Sequence, residues 1–118
     1  MKIPLPGGPV RGSRSGSPIM ALFDLLGRRW AMGVLWVLSE QGPSTFRALQ
    51  EACETISPGV LNARLKELQG AGFITQGSGG YRVTALGQSA YKALIPLSHV
   101  SKRWATDLAQ QDGPSDSD

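Results

Sequence analysis

Apolar residues recur along the chain at helical spacing, in blocks separated by Gly, Pro and Ser. Ile19, Leu22, Phe23 and Leu26 share one face of a short first helix. Ser17-Pro18 ahead of them supplies a hydroxyl N-cap and a proline at the first helical position, and Gly27 behind them a stop. A second helix is predicted from about Arg29 to Glu40. It is apolar nearly all round (Trp30, Val34, Leu35, Trp36, Val37, Leu38), the pattern of a buried central helix, and Gln41-Gly42-Pro43 breaks it. Ser44 or Thr45 can cap a third helix with Phe46, Leu49 and Cys53 on one face. Ser57-Pro58 opens a fourth, with Leu61, Leu65 and Leu68 in one stripe and a stop near Gly70 or Gly72.

Two short strands follow, Phe73 to Gln76 and Tyr81 to Val83, joined by Gly77-Ser78-Gly79-Gly80. Thr84 caps a long last helix. Its apolar seam is Leu86, Ala90, Ala93, Leu97, Val100, Trp104 and Leu108, with steps close to the 3.5-residue period of helix-on-helix packing. Pro96 removes a backbone bond within it and predicts a kink. Four helices, a hairpin and a helix, two of them short and joined by a brief turn, give a mainly α fold: a winged helix-turn-helix.

Composition sets the frame around that unit. The chain has 118 residues, 41% of them hydrophobic, enough for one domain with one core. The formal net charge of +3 permits a nucleic-acid partner without establishing one. Residues 1–16 are rich in Gly, Pro and Ser and carry Lys2, Arg11 and Arg14. Residues 110–118 carry Asp112, Asp116 and Asp118. Both are expected as disordered tails, one basic and one acidic, around a folded unit at 17–109. The apolar run from Trp30 to Ser39 is too short to span a bilayer, and the N-terminal stretch has no apolar core of a secretory signal, so no membrane partner and a cytoplasmic location are expected. One Cys and one His build neither an internal disulfide nor a usual zinc site, and no metal or cofactor is expected. Nor is an enzyme: His99 has no nucleophile pattern beside it, and the Gly77–Gly80 run precedes a strand rather than a helix. Cys53 reads as a small core residue, His99 as surface or interface, and Trp30, Trp36 and Trp104 as core or dimer anchors.

The stretches LLGRRWAMGVLWVL (25–38), TFRALQEACETISPGVLNARLKELQGAGFI (45–74) and YRVTALGQS (81–89) resemble the HxlR family of bacterial transcription regulators. Gly27, Arg28, Arg29 and Trp30 fit its Gly-basic-Trp start to the central helix. Phe46 and Leu49 fit the Phe-x-x-Leu before the recognition helix, and Ile56, Ser57, Leu61, Leu65 and Leu68 fit the pattern across it. Tyr81, Thr84 and Gly87 fit the segment after the wing, and Pro96 and Trp104 the late Pro and Trp. Three positions depart. Ser17-Pro18 stands where members often have Cys-Pro, which keeps the cap and loses the thiol chemistry. The wing is short, which argues against deep minor-groove contact. Gly59 stands where a basic residue is common, so base readout is weaker or different.

The resemblance and the pattern together imply a sequence-specific regulator of transcription that binds double-stranded DNA, more often a repressor. Helix 57–71 would lie in the major groove of a near-palindromic operator. With the leucines inward, Gly59, Asn62, Ala63 and Lys66 face outward. Asn pairs with adenine in two places, Ala meets a thymine methyl, and Lys takes guanine or phosphate. Ser57 at the helix start can bond a phosphate. Arg64 flanks the leucine stripe and reaches a phosphate or an acidic neighbour; Arg28, Arg29, Arg47 and Arg82 are further phosphate candidates. Because one such unit reads half a site, a homodimer is expected, through Ile19, Leu22, Phe23 and Leu26 of the first helix and Ala90, Leu97, Val100, Trp104 and Leu108 of the last. A pocket between those helices near Trp30 or Trp104 would suit a small apolar effector. The alternative is a winged-helix interaction module that has lost DNA binding, favoured by Gly59 and the short wing.

Overall fold

The computed structural model describes residues 3–111. Its elements run α1 (Pro18–Leu26), α2 (Ala31–Gln41), α3 (Phe46–Ala52), α4 (Pro58–Gly70), β1 (Ile74–Gly77), β2 (Gly80–Val83) and α5 (Ala85–Gln111). The predicted order is the observed one. Side-chain caps start three helices: Thr45 Oγ1 accepts from Ala48 N–H at 3.1 Å, Ser57 Oγ from Val60 N–H at 3.2 Å, and Thr84 Oγ1 from Gly87 N–H at 3.1 Å. Ser17 differs from expectation. Its side chain makes no cap bond, and Pro18 at the first position sets the start of α1 instead.

α2 begins two residues later than predicted. Trp30 has φ of 74° and stands before the helix in the left-handed region, at a cost on the order of 1 kcal/mol for a residue with a Cβ. The turn it makes brings Arg28 C=O to Ala31 N–H at 2.9 Å. α2 is also less enclosed than its sequence suggests. Ala31, Val34, Leu35 and Leu38 are buried, Trp36 and Val37 are half-buried, and Met32 is exposed. The core joins Val34, Leu35 and Leu38 to Leu49 of α3, to Leu61, Leu65 and Leu68 of α4, and to Ile74 of β1.

The antiparallel hairpin pairs Ile74 with Val83 and Gly77 with Gly80, leaving only Ser78-Gly79 as its loop. A third edge was not predicted. Ser44 pairs with Tyr81 through N–H···O bonds of 2.9 and 2.8 Å, tying the wing to the start of α3. Gly80, with φ of 102°, lets this happen, because a Cβ there would collide with the Ser44 carbonyl.

Of the two expected tails, the described residues cover 3–16 and 110–111. Residues 3–16 form turns, with a Val10–Ser13 bridge and a Gly7 N–H bond to Gly16 C=O of 3.0 Å. Pro4 is buried and Ile3 packs on the core. Two apolar anchors and glycines able to turn sharply hold a segment whose composition alone suggests none of this. At the other end α5 continues to Gln111, and the rest of the expected acidic tail lies outside the described residues. α5 is 27 residues long and helical through Pro96. At 1.5 Å per residue it measures about 40 Å, and it draws the molecule out to 56 × 37 × 25 Å.

Candidate nucleic-acid interface

α4 divides into an inner and an outer arc. At ~100° per residue, Leu61, Leu65 and Leu68 fall together, and Asn62, Lys66, Gly59 and Ala63 fall opposite. The leucines are fully covered; Gly59, Asn62 and Lys66 are exposed and Ala63 is half-buried. A Cβ built on Gly59 would meet nothing within 4 Å, so this side of the helix is open to close approach. Ser57 is exposed at the helix start. Its oxygen accepts the cap bond, and its hydroxyl hydrogen still has donor capacity.

The arginines fall into two groups. Arg28 and Arg64 converge on Glu67, whose two carboxylate oxygens accept from Arg28 Nη1 at 2.7 Å and from Arg64 Nη1 at 2.6 Å. Arg64 Nε also donates to the Arg29 carbonyl at 2.6 Å. Side-chain exposures are 28% for Arg28, 17% for Arg64 and 5% for Glu67, so these charges are largely withdrawn from solvent. Of the two partners open to Arg64 in the sequence, the acidic neighbour is the one it meets. Its bonds fasten α4 to the turn before α2. Arg29, Arg47 and Arg82 are exposed. Arg47 makes a loose pair with Glu51 at 3.6 Å, and Arg82 lies on the wing opposite Thr75.

Sequence reasoning missed Glu67. It lies on α4 beside the leucine stripe, three residues after Arg64, which is a readable ion-pair spacing. Its second partner, Arg28, is 39 residues away in the chain and no local pattern announces it. Cys53 is buried, and burial pushes its thiol pKa up, against a reactive role. Among the described residues there is no cluster of His, Cys, Asp and Glu able to hold a metal, and no helix long and apolar enough to cross a membrane.

The residues expected at a dimer interface also divide. Leu26 is buried in its own chain's core, and Leu22 and Ala90 are half-buried against it, so these three are core residues first. Ile19, Phe23, Leu97, Val100, Trp104 and Leu108 are exposed, Trp104 at 65%. The apolar cavities are lined by residues other than those expected around an effector. A cavity of about 400 Å³ lies between α2 and α5 against Met32, Trp36, Leu94 and Leu97. Another of about 250 Å³ lies under Pro4 between Leu22, Leu25, Phe73 and Leu86. Neither is lined by Trp30 or Trp104. Trp36 instead packs at 59° to Tyr91, ring centres 5.0 Å apart.

Comparison with known proteins places this arrangement. One similar solved structure is a possible HxlR family transcriptional factor from Thermoplasma volcanium GSS1, with a TM-score of 0.68 at 24% identity over 76% of this chain and 86% of that one. That likeness speaks for the fold. The quinone-bound YodB of B. subtilis matches with a TM-score of 0.59 at 30% identity, over 75% of this chain and 94% of that one. A curated relative, an uncharacterized HTH-type transcriptional regulator of Halalkalibacterium halodurans, is 31% identical over 58 residues, 49% of this chain. The match spans 51%, about half, of that relative's length. The family match itself is far longer, running from residue 25 to residue 109. The helix-turn-helix at α3 and α4, the wing behind it and most of α5 all lie inside that range, and the chain belongs to the HxlR-like helix-turn-helix family.

Proposed function

We propose that this protein regulates transcription as a homodimer that reads a near-palindromic site in double-stranded DNA, with α4 in the major groove, and that it acts as a repressor. The observation that carries this reading is the outer arc of α4. It is small and open at Gly59 and Ala63, polar at Asn62 and Lys66, and belongs to the second helix of a family helix-turn-helix. Lys66 has no partner among the described residues and is available to guanine or phosphate. Ser57, Arg29, Arg47 and Arg82 ring the helix as phosphate contacts. Arg28 and Arg64 take a different role in this reading: through Glu67 they hold α4 at a fixed angle. Two such units need joining, and the exposed seam of α5 with Ile19 and Phe23 is the surface that joins them. The apolar cavity between α2 and α5 would hold a small apolar effector.

The test is selection of bound fragments from genomic DNA at ~150 mM salt, where non-specific phosphate binding is weakened. The wild type should enrich a short near-palindrome, and a variant carrying Lys66→Ala and Asn62→Ala should not. No enrichment by a folded, dimeric wild type would shift the reading to a winged-helix module that binds proteins.

A further inference from the structure

A third cavity, of about 580 Å³, has a character unlike the two apolar ones. It lies where the loop at Arg11, the end of α1, the turn before α2 and the inner flank of α4 meet. Its lining carries four arginines against two carboxylates, a formal excess of +2 (four minus two). The excess is localised. Glu67 neutralises in part the guanidinium groups of Arg28 and Arg64, which form the floor. Arg11 and Arg29 remain, both exposed, and neither side chain has a partner among the described residues. Asp24 is engaged with the loop itself, accepting the Arg11 main-chain N–H at 3.1 Å. Two such guanidinium groups on one cavity are a planar-donor site for an oxyanion. Arg29, also proposed above as a phosphate contact, would serve this anion or DNA but not both at once, whereas Arg11 is proposed for the anion alone.

The cavity also has an apolar wall. Met20 and Phe23 of α1 line it, and Phe23 is 59% exposed, an uncovered aromatic ring beside surplus positive charge. Apolar walls with a few convergent polar groups, in a volume of ~300–1,000 Å³, describe a small-molecule site. We propose that this cavity binds a small organic anion, its carboxylate on Arg11 and Arg29 and its apolar body against Phe23 and Met20. The ligand would sit against the same Arg28–Glu67–Arg64 floor that fastens α4, so binding would bias the recognition helix. That last consequence rests on the proposed DNA-binding function; the site itself does not.

The test uses the full chain and three probes in titration calorimetry: benzoate, its uncharged methyl ester and inorganic phosphate. Benzoate should bind the wild type. The ester, and benzoate with Arg11→Gln/Arg29→Gln, should each be weaker by about tenfold or more, the loss expected for a charge-assisted contact. Circular dichroism should show the double variant folded, since both side chains are exposed. Benzoate affinity that is unchanged in that variant, or no binding of any probe to the wild type, overturns the site. Equal affinity for phosphate and benzoate overturns its organic character. A duplex-DNA arm separates a free anion from backbone phosphate. Arg11→Gln alone should leave DNA affinity unchanged; if it weakens DNA binding and duplex displaces benzoate, the occupant is DNA and the proposal fails. Benzoate binding without any DNA binding would leave the site standing and sink the regulator reading instead.

Discussion

α4 and α5 carry similar apolar stripes and meet opposite fates. On α4, Leu61, Leu65 and Leu68 are covered by α2, α3 and β1 of the same chain. On α5, Leu97, Val100, Trp104 and Leu108 repeat at equivalent spacing and remain 44% to 65% exposed. The difference lies in geometry. α5 is about 40 Å long and only its first half lies alongside the body, where Ala90 and Leu94 reach the core. An apolar stripe therefore says that a helix is to be covered; only the fold says by what. In this chain the second half of α5 stays uncovered, and a second copy is the partner we propose for it.

The largest effects should fall on the covered stripe. Leu65→Ala removes a side chain with no room to collapse into, and should cost about 3 kcal/mol in urea unfolding, independent of protein concentration. Trp104→Ala should behave differently. It should weaken the proposed dimer by about 30-fold or more in sedimentation, as loss of a central aromatic anchor does. Its thermal midpoint should fall below the wild type's and vary with protein concentration less steeply, because the weakened dimer is no longer saturated. If Trp104→Ala and Leu65→Ala destabilise alike at every concentration, the contrast between the two stripes collapses.

Glu67 offers the next test. Glu67→Gln leaves two guanidinium groups facing a neutral amide. Breaking a buried pair costs ~3–5 kcal/mol; with Arg28 and Arg64 partly open to water, we expect about 2 kcal/mol after discounting for solvent screening. The same variant should lose DNA affinity beyond that stability loss, measured on folded protein, if the triad sets the angle of α4.

How much of this was legible follows the same divide between local and distant causes. The leucine stripe of α4, the caps at Thr45 and Thr84, and the outward face at Asn62 and Lys66 follow from spacing within a few residues. The Ser44–Tyr81 pairing and the Arg28–Glu67 bond join residues far apart in the chain, where periodicity carries no signal. Trp30 looked helical because Trp in a run of apolar residues is unremarkable locally; its left-handed backbone follows from the turn that places Arg28 and Arg29. For residues 3–16, Gly- and Pro-rich composition carries no sign that Ile3 packs on the core and Pro4 is buried. Helical spacing puts Leu26 and Phe23 in one apolar set, and only the fold separates Leu26, covered in its own chain, from the exposed Phe23 on the same helix.

Smaller effects should separate DNA contact from folding. Lys66→Ala should leave stability within about 0.5 kcal/mol, as exposed sites generally do, and weaken operator binding about tenfold. A loss confined to DNA would place Lys66 in the groove; unchanged binding would count against this placement of α4.

The smallest change expected in folding is at Arg47. Its pair with Glu51 is 3.6 Å long, with side chains 90% and 72% exposed. Such pairs contribute roughly 0–1 kcal/mol, so Arg47→Ala should leave the unfolding midpoint where it is. Its use, if it meets a phosphate, shows in another quantity. The slope of log affinity against log salt should become shallower by about one per contact, with sequence preference unchanged. In a dimer the substitution occurs twice, so the slope should change by about two. Lys66→Ala, by contrast, should also relax preference at one base position in each half-site if it reads guanine. Two exposed cations on successive helices, Arg47 on α3 and Lys66 on α4, would thus be told apart, one positioning the protein on DNA and the other reading it. A slope that does not move with Arg47→Ala would leave that arginine as solvated surface.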